Sequence, residues 1–244
     1  MSRVLCVRHH SEDSPGLIGE AFGERGHVVD VVLLDAASPT PGLAGYEFLV
    51  VLGSKHAVYD EAVEAAWFGR ELDLLAQAEA AGVAVMGICF GAQALCRYHG
   101  GVVSRAGEPE IGWYKIDVAE GVNLPNGPWF EYHYDHCTLP LHTQVWATTP
   151  RAVQAFAIGA NVGVQFHPEI DEVQLAGWFE AGDDEPRDFD LDAAALLAQT
   201  ARETPAARRR AGQLVDLFLA HVATTRAERA FLIASLHLPG ERAH

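Results

Sequence analysis

Positive charge is what this chain has least of. Against 33 acidic residues it carries 17 lysines and arginines, a formal net charge of −16 over 244 residues. So acidic a surface repels phosphate, which excludes nucleic acid and anionic membrane surfaces as expected partners. Its single basic cluster, Arg208-Arg209-Arg210, reads as a solvated helix face. Cysteine is scarce too: Cys6, Cys89, Cys96 and Cys137 make neither a disulfide framework nor a C-x-x-C pair, so a reducing compartment is expected. No apolar run is long enough to span a bilayer, and M-S-R-V-L-C-V-R enters a strand without the apolar core of a signal peptide. These absences predict a cytoplasmic protein. Repeats, low-complexity segments and linkers are lacking as well, so residues 1–244 are expected to form one domain. With 49% apolar and 20% charged residues, the composition is that of an ordinary globular chain.

The pattern of apolar residues organises that domain. Residues 4–7 read as a short strand, 16–25 as a helix and 28–34 as a second strand. After Pro39 and Pro41, residues 48–52 read as a buried strand ending at Gly53. An alanine-rich segment with helical period, 60–81, then leads to a strand at 83–86. Alternating strands and helices predict a parallel sheet covered on both faces. From Gly112 the texture changes to shorter strands at 113–118, 145–149, 152–158 and 162–166, with turns at Leu124-Pro125-Asn126-Gly127 and at Gly159 and Asn161. These are expected as antiparallel hairpins added to the sheet. Helical patterns cover 171–179 and 191–220, with a further turn or two at 231–237, and Asp183-Asp184-Glu185-Pro186 reads as an exposed loop. The fold class is therefore α/β, a single domain with a central, mostly parallel mixed sheet and a helical C-terminal extension from about residue 190.

Two motifs carry chemistry. Between the strand at 83–86 and a helix at 92–98 lie only Gly87, Ile88, Cys89, Phe90 and Gly91. A turn that tight strains its central residue and needs small neighbours where strand and helix approach, which Gly87 and Gly91 supply. Cys89 then stands above the carboxyl end of the sheet as a nucleophile. The second motif, Val164-Gln165-Phe166-His167-Pro168-Glu169, is a strand stopped by proline. His167 and Glu169 are two apart, able to face one side, so Glu169 can fix the imidazole that serves Cys89. Attack on a carbonyl also needs two donors for the oxyanion. The amide of Phe90 is one, and the Gly53-Ser54-Lys55 turn offers the other, because parallel strand ends converge on one edge.

Other candidates read more plainly. Cys6, Cys96 and Cys137 are expected in the core, Lys55 and His56 on a loop surface, and His9 and His10 at the surface of a sheet edge, where a loop could border the pocket. His133, His136, Cys137 and His142 lie close in sequence but lack finger or helix spacing, so no metal is expected.

Together these motifs resemble the class I glutamine amidotransferases of the triad type, in particular stand-alone members similar to the glutaminase domain of GMP synthase. The resemblance extends over residues 48–170 and includes Glu110-Ile111-Gly112-Trp113, Tyr132-His133-Tyr134-Asp135 and Leu139-Pro140. It implies a flavodoxin-like fold. Carried onto this chain, it makes Cys89 the nucleophile, His167 the acid/base and Glu169 its orienter. Ser54 and Phe90 would supply the oxyanion hole. Gly53, Gly91 and Gln93 would hold the substrate, with His133 and Asp135 near its amino-acid end. Members usually show Gly-Gly-Pro where this chain has Gly53-Ser54-Lys55; a backbone amide survives the change to serine as long as φ there is negative. The implied reaction hydrolyses glutamine through a γ-glutamyl thioester and releases ammonia, with no cofactor. Either a separate synthetase takes up that ammonia or the chain acts alone. Two further readings stay open: a γ-glutamyl peptide or conjugate hydrolase using the same triad, and an inactive binding or regulatory module that keeps the fold.

Overall fold

Strands that are apolar on both faces can be buried only in the middle of a covered sheet. In this computed structural model, which describes residues 2–181 and 191–236, that is where they lie. The eight-stranded sheet contains β1 (Arg3–Arg8), β2 (Val28–Leu33), β3 (Phe48–Val51), β4 (Ala84–Ile88), β6 (Asp117–Val118), β8 (Gln144–Thr148), β9 (Val153–Ile158) and β10 (Asn161–Val164). Its order is β2-β1-β3-β4-β10-β9-β8-β6. The first five strands are parallel and the last three join antiparallel. In register, Val51 lies beside Gly87 and Val164 beside Ile88. The segments after β3, β4 and β10, which hold Gly53, Cys89 and His167, thus leave the sheet side by side.

Alternate residues of each parallel strand feed two cores. Val4, Cys6, Phe48, Val50, Ala84 and Met86 face α1 (Gly16–Glu24) and α6 (Ala193–Leu236). Leu5, Val7, Leu49, Val51 and Val85 face the other layer. That layer is α2 (Glu61–Val63), a π-helical turn (Glu64–Phe68), α3 (Gly69–Ala81) and α4 (Phe90–Tyr98). The predicted helix over 60–81 is therefore interrupted by a π turn, which carries Trp67 and Phe68 into the core. Asp60 caps its start, accepting the Ala62 amide at 2.9 Å.

Three features depart from the sequence reading. The strand expected over 113–118 is divided between the end of β5 (Val102–Tyr114) and β6. β5 pairs with β7 (Trp129–Thr138) in a separate two-stranded sheet that the sequence reading did not assign. The reason is that the buried positions of β7 include Glu131, His133 and Asp135, so its inward face reads as polar. Third, α6 passes Pro205 as the expected 191–220 segment does, but it also continues unbroken across the polar stretch 221–230 that separated two expected helical segments. The helix expected at 171–179 is α5 (Glu172–Glu180), capped by Asp171. The Asp183-Asp184-Glu185-Pro186 loop and the last residue of the expected 231–237 turn, His237, lie outside the described residues.

Nor is the arginine cluster a free basic face. Arg210 is buried over the rings of Trp113 and Trp129, and Arg208 pairs with Glu20. Arg25, which caps the end of α1, grips Asp216 with two hydrogen bonds of 2.7 Å. Among the described residues no helix is long and apolar enough to cross a membrane. Because Phe218 of α6 is fully buried against Phe22 and Phe48, α6 is part of the core. Phe218→Ala is expected to cost about 3–5 kcal/mol, read from urea unfolding; a change under 1 kcal/mol would mean that α6 only lies on the surface.

Candidate active site

β4 ends at Ile88 and α4 begins at Phe90, so Cys89 alone turns the chain. It does so at φ 51°, ψ −105°, a conformation a non-glycine residue holds only under constraint. The constraint is visible on both sides. The Cys89 amide donates to Val164 O at 2.8 Å and its carbonyl accepts from Gln93 N at 3.0 Å. A Cβ on Gly87 would stand 2.4 Å from Gly91 O, and one on Gly91 2.2 Å from Val51 O. Neither glycine is replaceable without moving strand or helix. Gly91 is accordingly a packing contact and does not line the pocket.

His167 follows β10, its amide held by Phe130 O at 2.7 Å. Its Nδ1 donates to Glu169 Oε1 at 2.7 Å, which leaves Nε2 directed at Cys89. Glu169 is anchored in turn, its carbonyl accepting the Leu17 amide at 2.9 Å. Burial disfavours the His167 imidazolium, yet the Glu169 carboxylate and the Cys89 sulfur raise its pKa well above the ordinary value. Trp178 of α5 packs edge-on to the ring at 5.2 Å and donates to Asp13 Oδ1 at 3.1 Å. Burial, with Glu169 nearby, pushes Asp13 up to about 6.

Cys89, His167 and Glu169 open onto a cavity of about 350 Å³. Of the other sequence candidates, Gly53, Ser54, Gln93, His133 and Asp135 line it; Phe90 turns its side chain into the core behind it. Gly53 is pressed close, since a Cβ there would stand 2.9 Å from His167 Cε1 and 3.7 Å from the Cys89 Cβ. Ser54 is not among the positive-φ residues, so serine is tolerated at this turn. Its hydroxyl lies 3.3 Å from His10 Nε2 and accepts the His56 amide at 3.3 Å. Gln93 donates to Gln165 Oε1 at 3.2 Å, and Asp135 accepts from Tyr59 at 2.9 Å.

Sequence reasoning left several residues out. His10, Asp13, Arg105, Tyr132, Tyr134 and Trp178 also line the cavity. His9, expected at the surface, is buried, with Glu71 as its partner. The signal for His9 and His10 was present, since both follow a parallel strand at its carboxyl end. Burial and the neighbouring Lys55, His9 and His56 lower His10 to about 4.

In the wall of the cavity stands a further imidazole with acidic neighbours. His133 Nε2 is 3.3 Å from both Glu110 Oε2 and Glu131 Oε2, and Nδ1 donates to Asp135 O at 2.9 Å. Both ring nitrogens thus face acceptors. Against the burial penalty, the two carboxylates raise His133 to about 10, while burial raises Glu131 to about 7. Cys6, Cys96 and Cys137 are buried free thiols. Among the described residues no group of three or more His, Cys, Asp or Glu is arranged to hold a metal ion.

A family model described as glutamine amidotransferase class-I matches residues 16–174. The chain belongs to this family. Over 159 residues it is 33% identical to gamma-glutamyl peptidase 2 of Arabidopsis thaliana, covering 63% of this chain and 61% of the relative. Over 187 residues it is 31% identical to the glutamine-hydrolyzing GMP synthase of Aeropyrum pernix, covering 66% of this chain and 34% of the relative. The chain thus spans between a fifth and three fifths of the length of such curated relatives. A crystal structure of a glutamine amidotransferase from Thermotoga maritima superposes with a TM-score of 0.78 at 27% identity, covering 89% of this chain and 98% of that one. The flavodoxin-like fold of class-I amidotransferases is therefore present here.

The charges around this cavity are directly measurable. Nitrogen NMR of labelled histidine is expected to find His133 still an imidazolium at pH 8, whereas His10 is neutral above about pH 5. Loss of the His133 proton near pH 6.5 would contradict the paired-carboxylate cradle.

Proposed function

We propose that this chain hydrolyses the side-chain amide of glutamine with Cys89 as nucleophile, His167 as acid/base and Glu169 as its orienter. The observation that carries the reading is the strained Cys89 elbow opposite the His167–Glu169 pair, in a cavity that Cys89, His167 and Glu169 all line. His167 takes the proton of the Cys89 thiol, and the sulfur attacks the γ-carbonyl. The tetrahedral oxyanion is met by the Ser54 and Phe90 amides. On collapse His167 returns its proton to the departing ammonia, leaving a γ-glutamyl thioester that an activated water hydrolyses to glutamate. Gly53 and Gln93 surround the glutamine, His133 and Asp135 its amino-acid end. No cofactor takes part. The likeness to GMP synthase favours delivery of the ammonia to a separate synthetase partner, in the reducing cytoplasm that four free thiols suit.

A second reading keeps the triad and changes the leaving group. The cavity extends past the triad to Lys55, His56, Arg105 and Tyr134, and one relative, matched over 61% of its own length, is a gamma-glutamyl peptidase. Hydrolysis of γ-glutamyl peptides is the reading these two facts favour.

Ammonia release from glutamine, beside a panel of γ-glutamyl peptides, separates the two. Wild-type protein is expected to release ammonia from glutamine, and Cys89→Ala to lose at least about 10³-fold in kcat. Peptide cleavage with glutamine untouched would replace the first reading by the second. Folded protein inactive on both, with Cys89 unlabelled by a glutamine-like electrophile, would leave a binding or regulatory module.

A further inference from the structure

We infer that His9 and Glu71, neither of which lines the cavity, form a positioning pair that aims the Ser54 amide at the substrate. The inference rests on the reading of that amide as an oxyanion donor. Gly53 O and Ser54 N–H belong to one peptide unit, and the cis peptide bond of the described residues is at Gly127-Pro128. In a trans peptide the carbonyl and the amide point in opposite directions. Whatever grips Gly53 O therefore also aims the Ser54 amide.

His9 is that grip. Its Nδ1 lies 2.8 Å from Gly53 O and its Nε2 2.5 Å from Glu71 Oε2. Since both nitrogens face acceptors, the ring donates on both sides, and Glu71 balances the charge. The ring stacks on Trp67 at 4.8 Å and meets Phe90 edge-on at 5.1 Å, so it has no freedom to tilt. Gly53 and Ser54 line the cavity while His9 lies behind them. With the carbonyl turned back to His9, the amide turns forward.

The loop needs such a hold. A side chain at position 53 would strike His167, so glycine must stand there, and glycine allows the adjoining peptide to rotate. A fully buried ion pair is costly to keep and is often replaced by apolar residues without loss of stability. Glu71 is 0% exposed, with Oε1 lacking a hydrogen-bond partner among the described residues. Packing alone does not require a pair like this. What distinguishes it is the one carbonyl that it holds.

The test is the double variant His9→Phe/Glu71→Leu, which keeps a ring against Trp67 and buries no unpaired charge, beside Glu71→Gln, which keeps an acceptor for His9. With glutamine or the preferred γ-glutamyl peptide, the double variant is expected to lose about 10²-fold in kcat with KM within a few-fold of wild type. Alkylation of Cys89 by iodoacetamide builds no oxyanion, so its rate is expected to stay within about twofold. Glu71→Gln is expected to retain activity within about tenfold. Unchanged kcat, or alkylation falling in step with kcat, would overturn the inference. If wild-type protein turns over neither substrate class, the functional reading fails on its own. The crystal structure of the double variant then decides positioning separately: a rotated Gly53–Ser54 peptide supports it, an unmoved one refutes it.

Discussion

The contact between Gly91 and the backbone of Val51 is what the rest of the site depends on. It lets α4 start at the very end of β4, with Cys89 alone to turn the chain and a positive φ as the consequence. Strain of this kind persists only where the surroundings over-determine it. Here Val164, Gly87 and Gln93 do so, from a neighbouring strand, from β4 itself and from α4. Because the strand that supplies Val164 is also the one that runs on to His167, one set of hydrogen bonds both strains Cys89 and brings the imidazole to it.

Around that elbow the chain repeats one electrostatic device three times. His167 has Glu169, His133 has Glu110 and Glu131, and His9 has Glu71, every member buried. Buried charges persist only when paired and hydrogen-bonded, so each ring is fixed in orientation by its acid. The three rings come from the ends of β1 and β10 and from the middle of β7. A protein with a net charge of −16 thereby holds two histidines, His133 and His167, in the wall of the cavity, each fixed by buried acids.

What the sequence disclosed, it disclosed through local constraint. Two glycines four residues apart around a cysteine leave one geometry, and strands apolar on both faces leave one place in a sheet; these features the structure reproduces. What it hid depended on partners distant in the chain. β7 escaped notice because its inward residues are Glu131, His133 and Asp135, an inverted alternation that has meaning only once Glu110 of β5 lies across from it. Glu71 looks like any acid on an alanine-rich helix until the π turn and His9 are seen beside it. Helix through Pro205 was legible, but the continuity of α6 across 221–230 was hidden by a polar stretch in which Val222 is the one buried residue.

The central claim is that Cys89 carries the acyl group. Acid quenching within the first turnover on glutamine, followed by peptide mapping by mass spectrometry, tests it most directly. The account predicts one γ-glutamyl group on the peptide containing Cys89, disappearing as ammonia and glutamate accumulate. Steady turnover with that peptide unmodified, or with the adduct on Cys6, Cys96 or Cys137, would contradict it.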